Sequence, residues 1–352
     1  FRYFLRDYAP SPTFEKSFFG PNRWVQFFST PPLIKSTTTQ QQSYITKWDI
    51  NKPISFYISS NTPAEYRQAI ADGLLFWNHI FGKNIIEIHD LEPGIFAPHS
   101  RFNIVQWVIW DNEPSAYADL VVDHLSGETL QAQIYMHSGW VSQSTQKLKN
   151  QLTELILTEQ KKIPVTSIDE APMPSMFSYD EPCFKSMGNF FETSELRSEL
   201  SLTEISDKTL DVLTSDIIRA VIAHEVGHVL GLRHNLAAST QGMSLATRQS
   251  LLKSYLHSGN AHTNKPFSKS IMDVFSVADD AIVGAQIREL LATEKVETSK
   301  IPEIYQYDKQ AIDFGYFNKP MLGNIAFCTD EEMNMYLDCS RWDISNTPLL
   351  FA

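Results

Sequence analysis

The sequence is poor in basic charge. Among its 352 residues, Lys and Arg number 29 whereas Asp and Glu number 41, which gives a formal net charge of −12. A protein that binds nucleic acid needs clustered positive charge to neutralise phosphates. The composition therefore argues against nucleic acid as a partner.

Long apolar runs and cysteines are also scarce. No uninterrupted hydrophobic stretch approaches the length of a membrane span, so we expect no transmembrane segment in this chain. Three cysteines are too few for a disulfide-dense scaffold, and their spacing does not resemble that of a zinc finger. The hydrophobic fraction of 43% is nevertheless enough for the core of an enzyme.

What the sequence does contain is a histidine motif, HEVGHVLGLRH. His224 and His228 are four residues apart, so on a helix both imidazoles can reach one metal ion. Glu225 points elsewhere and is placed to act as general base on a metal-bound water. Gly231 can adopt the left-handed conformation that ends a helix, which returns His234 as a third ligand. Three ligands leave a fourth position for water, which predicts one catalytic Zn²⁺.

The segment before the motif, TSDIIRAVIA, predicts the helix that carries it. Thr214 or Ser215 can cap the N-terminus, and the isoleucines and valine that follow form an apolar stripe. We expect this helix to begin near Thr214 and to support the ligands rigidly.

The motif and a later Ser-Ile-Met-Asp segment resemble the metzincin clan of zinc endopeptidases, whose signature is HExxHxxGxxH followed by a methionine turn. The resemblance implies that Met272 forms an apolar floor beneath the zinc. Segments such as DHLSGETLQAQIYM and YQYDKQAIDFGY are similar to a bacterial group of large exported zinc-dependent metalloproteases. Asn235 and Val274 occupy positions at which the families of the clan differ, and Val274 stands where some families have a metal-binding tyrosine.

The resemblance implies an α/β (α+β) fold. An upper subdomain would contain a mixed twisted sheet with two long helices, a lower subdomain would be mostly helical or irregular, and the zinc would lie in the cleft between them. We assign residues 1–45 to an N-terminal extension or a linker from a preceding domain. Residues 46–234 would form the upper catalytic subdomain, and residues 235–352 the lower one with the methionine turn.

Hydrophobic patterns predict the elements of both subdomains. We expect a first helix from Pro63 to about residue 81 and further helices in 243–257, 279–293 and 305–316. We expect strands at 54–59, 85–89, 104–110, 117–122 and 130–136. In metzincins an extended substrate pairs with the outermost strand beside the cleft. The candidates are 117–122 and 130–136, and we favour the second.

An insertion occupies about residues 137–213. Its first part has helical periodicity from residue 140 to 161, and its second part is rich in proline and acidic residues. A long loop in a compact domain is usually functional or disordered. A lid over the cleft and a surface excursion unrelated to catalysis both stay open.

The cysteines bear on localisation. Cys328 and Cys339 have ten residues between them, and this spacing together with the family likeness predicts a disulfide. Cys183 is left over, and a structural thiol is favoured over a cysteine that caps the zinc in a latent form. The disulfide and the likeness favour an exported protein, which would be periplasmic, at the cell surface or secreted.

Two further points stay open. The chain begins at Phe1, which is compatible with a removed export signal or with additional domains upstream. A structural calcium ion at Asp123, at Glu128 or in the acidic insertion has no motif to support it.

Together these features predict a zinc metallopeptidase that acts on a protein or peptide substrate, with Glu225 as general base and acid. Two alternatives stay open. One is a catalytically silent, protease-like binding module, and the other is a zinc hydrolase of the same clan that cleaves amides in cell-wall peptides.

Overall fold

The computed structural model describes residues 8–18, 27–34, 41–112, 115–141, 207–262, 265–321, 326–333, 335–336, 339 and 341. The predictions for Cys183 and for residues 142–206 of the 137–213 insertion therefore lie outside the described residues.

Among the described residues, the first half of the chain contains all the strands and one helix, and the second half is helical. The strands are β1 (Leu33–Ile34), β2 (Gln41–Gln42), β3 (Ile54–Ile58), β4 (Ile86–Asp90), β5 (Asn103–Val108), β6 (Ala116–Val122) and β7 (Thr129–His137). The helices are α1 (Ala64–Phe81), α2 (Asp207–Val229), α3 (Leu245–Ser258), α4 (Val277–Thr293), α5 (Ile301–Ile304) and α6 (Gln306–Phe317).

The main sheet has five strands in the order β4-β3-β5-β7-β6. All neighbouring pairs are parallel except β6 and β7, which are antiparallel. Strand β3 shows why the sheet forms here: Ile54, Phe56 and Ile58 alternate with less buried residues and point into the core. This mixed sheet, with the two long helices α1 and α2 and a helical second half, confirms the expected fold class.

The position of β6 corrects one prediction. Of the two candidates for the outermost strand we favoured 130–136, but β7 lies between β5 and β6 and pairs with both. Among the strands that the structure describes, β6 forms the edge on this side of the sheet and β4 forms the opposite edge. The sequence does contain a signal for this, since Asp119 places a charge in the middle of β6, and charged residues are typical of edge strands.

Helix α2 lies at the centre of the helical layer, where it packs against both α1 and α4. It begins at Asp207, seven residues before the predicted cap at Thr214. The expected apolar stripe is present, since Ile217, Ile218 and Val221 are fully buried. Burial of this stripe stabilises the helix more than a cap does, so Thr214 lies inside the helix and is itself buried.

Phe27 and Phe28 pack near the end of α2. Phe27 is 1% exposed and forms an antiparallel bridge with Leu232. Lys47, which is buried, donates hydrogen bonds from Nζ to Ser17 Oγ at 2.7 Å and to the Gly315 carbonyl at 2.9 Å. Phe27 is thus joined to the histidine motif, and Ser17 is joined to α6 through Lys47.

Among the helices that the structure describes, none combines the length and the apolar character that a membrane span needs.

Candidate metal centre

The first two histidines of the motif lie on the last turns of α2, which α1 holds in place. His224 is fully buried and His228 is 5% exposed. Trp77 of α1 donates its indole N–H to the carbonyl of Ala223 at 2.8 Å, directly before the first histidine. The two imidazoles share one helix face, and their ring centroids are 4.8 Å apart.

Gly231 turns the chain after α2. Its φ is +95°, a conformation that side chains disfavour, and Leu232 N closes the turn by donating to the Gly227 carbonyl at 3.0 Å. Phe28 packs against this turn, since its backbone N–H donates to the Gly231 carbonyl at 2.8 Å. A Cβ atom on Gly231 would collide with the carbonyl oxygen of Thr46. Glycine is therefore required both by the conformation and by the neighbouring backbone.

We expect Gly231→Ala to destabilise the protein. The backbone conformation alone costs roughly 1–3 kcal/mol for a residue with a side chain, and the collision with Thr46 adds to it. Denaturant unfolding of the metal-free protein measures the loss. Gly94→Ala is the matched control, because Gly94 has φ +88° but a Cβ added there would meet no atom within 4 Å. Equal losses in the two variants would contradict the steric part of this explanation.

The turn brings His234 to the other two histidines. His234 is 6% exposed, and its ring centroid lies 5.2 Å from that of His224 and 4.9 Å from that of His228. One nitrogen from each of the three side chains lies within 4.8 Å of the others. Three imidazole nitrogens this close are suited to sharing one metal ion.

The hydrogen bonds of the three rings fix which nitrogen faces the centre. The Nδ1 atoms of His224 and His228 lie 2.8 Å and 2.9 Å from the carbonyl oxygens of Ile271 and Leu232. The Nδ1 atom of His234 lies 2.6 Å from Asp330 Oδ2. Carbonyl and carboxylate oxygens only accept, so each Nδ1 carries a proton and Nε2 is the nitrogen that each ring can offer to a metal. Three imidazoles oriented in this way by outer oxygens form a donor set that suits Zn²⁺.

Glu225 is fully buried and follows the first histidine on α2. Successive helix residues point about 100° apart, so its carboxylate does not share the direction of His224 and His228. The arrangement can supply a carboxylate beside the metal without using it as a ligand.

Met272 lies against the helix of the motif. It is fully buried, and a Cβ on Gly227 would collide with its Sδ atom, so its thioether fills the space beside the residue that precedes His228. The backbone on both sides of Met272 also contacts the motif. The Met272 carbonyl accepts from Asn235 N at 2.9 Å, and the Ile271 carbonyl faces His224.

A residue that the sequence analysis missed holds this methionine segment. Asp308 of α6 accepts from Ser270 Oγ at 2.6 Å and from Ile271 N at 2.7 Å. It is fully buried, and this burial raises the pKa of its carboxyl to about 7, against the lowering effect of its two hydrogen bonds. Asp308 thus braces the loop whose carbonyl orients His224.

We expect Asp308→Asn to change how stability depends on pH. In the parent the folded pKa of about 7 lies above the ordinary 3.8, so the folded state binds an extra proton between these values. This contribution to stability is fully present below about pH 4 and is lost as the pH rises through 7. The Asn variant lacks this loss, although it gives up one accepted hydrogen bond, worth about 1 kcal/mol. Denaturant titrations of both metal-free proteins at pH 4.5 and pH 8 measure the difference. If the free energy of unfolding changed with pH to the same extent in both proteins, the proposed role of Asp308 in the pH dependence would be wrong.

A second missed residue is Asp330, the acceptor for His234. Burial alone would raise the pKa of Asp330, but hydrogen bonds from His234 and Arg341 outweigh burial and hold this pKa far below its usual range. The neighbouring cysteines, Cys328 and Cys339, are joined by a disulfide with a Cα–Cα distance of 5.9 Å. The sequence does show Asp330 between two cysteines that were predicted to pair. It does not show that the carboxylate contacts His234, which lies 96 residues away in the chain.

Residues 206–324 match a family model described as Met-zincin. This part of the chain is similar to the Met-zincin family and is here called the Met-zincin segment. It covers about a third of the chain, from just before α2 to just after α6, and so includes the three histidines, Glu225 and Met272. No curated protein and no solved structure gives a significant match to the chain. The Met-zincin segment and the histidine cluster together indicate a zinc metalloprotease type of centre.

Proposed function

We propose that this protein is a zinc-dependent metalloendopeptidase in which His224, His228 and His234 hold one catalytic Zn²⁺ through Nε2. The observation that carries the proposal is the buried cluster of three imidazoles, each with Nδ1 against an oxygen acceptor, inside a Met-zincin segment. Bound zinc would supply Lewis acidity, which lowers the pKa of a coordinated water and polarises a carbonyl.

Glu225 is the proposed general base and acid. Its carboxylate would take a proton from the attacking water and pass it to the departing amine. The peptide bond between carbon and nitrogen breaks, and the water contributes oxygen to the new acid and both protons to the products. No covalent enzyme intermediate is required. Met272 would act as the apolar support beneath the three histidines.

The substrate would bind along β6. Among the described strands, β6 is the edge strand of the main sheet that contacts α2, which carries the first two histidines. An extended peptide can add to such an edge through backbone hydrogen bonds. The cleft would then lie between the upper subdomain of residues 46–234 and the lower subdomain of residues 235–352. Replacing single substrate amides by N-methyl amides should slow cleavage at alternate positions, and equal effects at all positions would argue against this binding mode.

Export is proposed from the disulfide and the resemblance. Disulfides persist in oxidising compartments, and Cys328 and Cys339 are bonded and buried. Mass spectrometry of the protein isolated from its host, alkylated before reduction, should show both cysteines protected. Alkylation of both would argue for a reducing compartment.

A mixed peptide library tests the proposed activity. We expect cleavage of ordinary peptides that stops with a zinc chelator and resumes when zinc is returned. Cleavage limited to amides of cell-wall peptides would instead identify the related hydrolase. Zinc binding without cleavage of either substrate class would identify a silent binding module.

A further inference from the structure

The third histidine is supported differently from the first two. His224 and His228 face backbone carbonyls at Ile271 and Leu232, whereas His234 faces a side-chain carboxylate, that of Asp330. Backbone carbonyls are present whatever the residue type. The orientation of His234 therefore depends on one particular side chain.

His234 also lacks the rigid support of the helix. It follows the turn at Gly231, whereas α2 ends at Val229. A helix residue has its side-chain direction set by the helix itself, but a residue after the turn does not. A ligand in that position needs an external partner to hold its ring toward the metal.

The C-terminal segment that carries Asp330 is docked on the residues after His234. Asn235 Oδ1 accepts from Cys328 N at 3.2 Å, and Asn235 Nδ2 donates to the Ala326 carbonyl at 3.1 Å. Leu236 N donates to the Cys328 carbonyl at 2.9 Å. A small apolar cluster lies behind these bonds: Leu236, Ala237, Val274, Cys328 and Cys339. Asn235, directly after the third histidine, thus fixes the start of the segment.

Two features hold Asp330 within that segment. The Cys328–Cys339 disulfide closes a loop that contains it. Arg341, two residues after the second cysteine, donates to Asp330 Oδ1 from Nε at 3.1 Å and also from an Nη atom. Asp330 therefore uses one oxygen for the arginine and the other for His234.

From this geometry we propose that Asp330 is a positioning residue for His234, and that the disulfide and Arg341 keep it in place. The segment that matches the Met-zincin family ends at residue 324, so this support lies beyond the matched residues. The inference rests on the proposed function only in taking His234 as a zinc ligand. It adds that the affinity for zinc depends on a loop outside the histidine motif.

The test compares zinc affinities by competition with a chromophoric chelator. We expect Asp330→Ala to bind zinc about 10- to 100-fold more weakly than the parent, the usual cost of losing an outer partner of a ligand. Asp330→Asn keeps an acceptor oxygen, so its zinc affinity should lie between those of the parent and Asp330→Ala. The matched control is Glu331→Gln, which removes the adjacent negative charge from an exposed pair with Arg233. It should bind zinc as the parent does.

A second readout separates positioning from a general structural role. We expect the visible absorption spectrum of the cobalt-substituted protein to change in Asp330→Ala and to stay unchanged in Glu331→Gln. The melting temperatures of the metal-free proteins should agree within a few degrees. A variant with both cysteines at 328 and 339 replaced by Ser should weaken zinc binding in the same direction, since it frees the loop that holds Asp330.

Parent-like zinc affinity and cobalt spectra in both Asp330 variants would overturn the inference, and so would an equal loss in Glu331→Gln. A parent that binds no zinc would overturn this inference and the proposed function together. A parent that binds zinc but cleaves no peptide would overturn only the proposed function, and the affinities would still decide the role of Asp330.

Discussion

Replacing Glu225 by Gln should leave zinc bound and lower the turnover number by roughly 10²- to 10⁴-fold, the usual contribution of a general acid–base group. Glutamine has nearly the same size and shape, so the buried position of Glu225 on α2 can accept it. Its amide cannot take a proton from water at neutral pH. The three histidines are unchanged, and the metal should stay.

Zinc content by elemental analysis and turnover on a cleaved peptide measure the two effects separately. Glu65→Gln, at an exposed position on α1, is the control for the loss of one negative charge and should keep parental turnover. Full turnover in Glu225→Gln would remove this residue from the mechanism. Loss of zinc in the same variant would show that it supports the metal instead.

Replacing His234 by Ala should lose both metal and turnover. It removes one of three nitrogen donors, so zinc affinity should fall by more than the roughly 10- to 100-fold expected for an outer partner. Zinc content thus distinguishes the two variants, since His234→Ala should lose the metal and Glu225→Gln should keep it.

Zinc analysis after dialysis against a weak chelator checks this expectation. His89→Ala is the control, because the His89 side chain on β4 is 44% exposed and lies outside the cluster. Zinc retention by His234→Ala equal to that of the control would mean that His234 is not a ligand.

The parts of the site that the sequence predicted are those set by local periodicity. His224 and His228 share a helix face because they are four residues apart, and Gly231 ends the helix because it can adopt a positive φ. Both features depend only on residues that are close together in the sequence. The predicted strands and helices of the fold follow from the same kind of local pattern.

The parts that the sequence did not predict depend on contacts between distant residues. Asp308 and Asp330 are ordinary acidic residues until folding places them against Ile271 and His234. The order of strands is likewise a matter of pairing. Residues 117–122 and 130–136 both predict strands, and only the parallel pairing of β7 with β5 leaves β6 at the edge.

The beginning of α2 was missed for a related reason. A cap at Thr214 is a local signal, but the helix extends back to Asp207 and packs against α1 and α4. Tertiary packing decides helix length more strongly than a single capping residue. Local sequence patterns therefore predict best those features that a single helix or turn determines by itself.

Reactivation of the metal-free protein by known amounts of zinc shows whether zinc bound at the three histidines is responsible for the activity. The metal-free protein, titrated with zinc while it cleaves a peptide, should gain activity in proportion to the zinc added. The rise should end at one zinc per chain, as expected from the one three-histidine cluster found among the residues that the structure describes. Activity that is already full without metal, or that does not respond to zinc, would show that the three-histidine site is not a catalytic zinc centre.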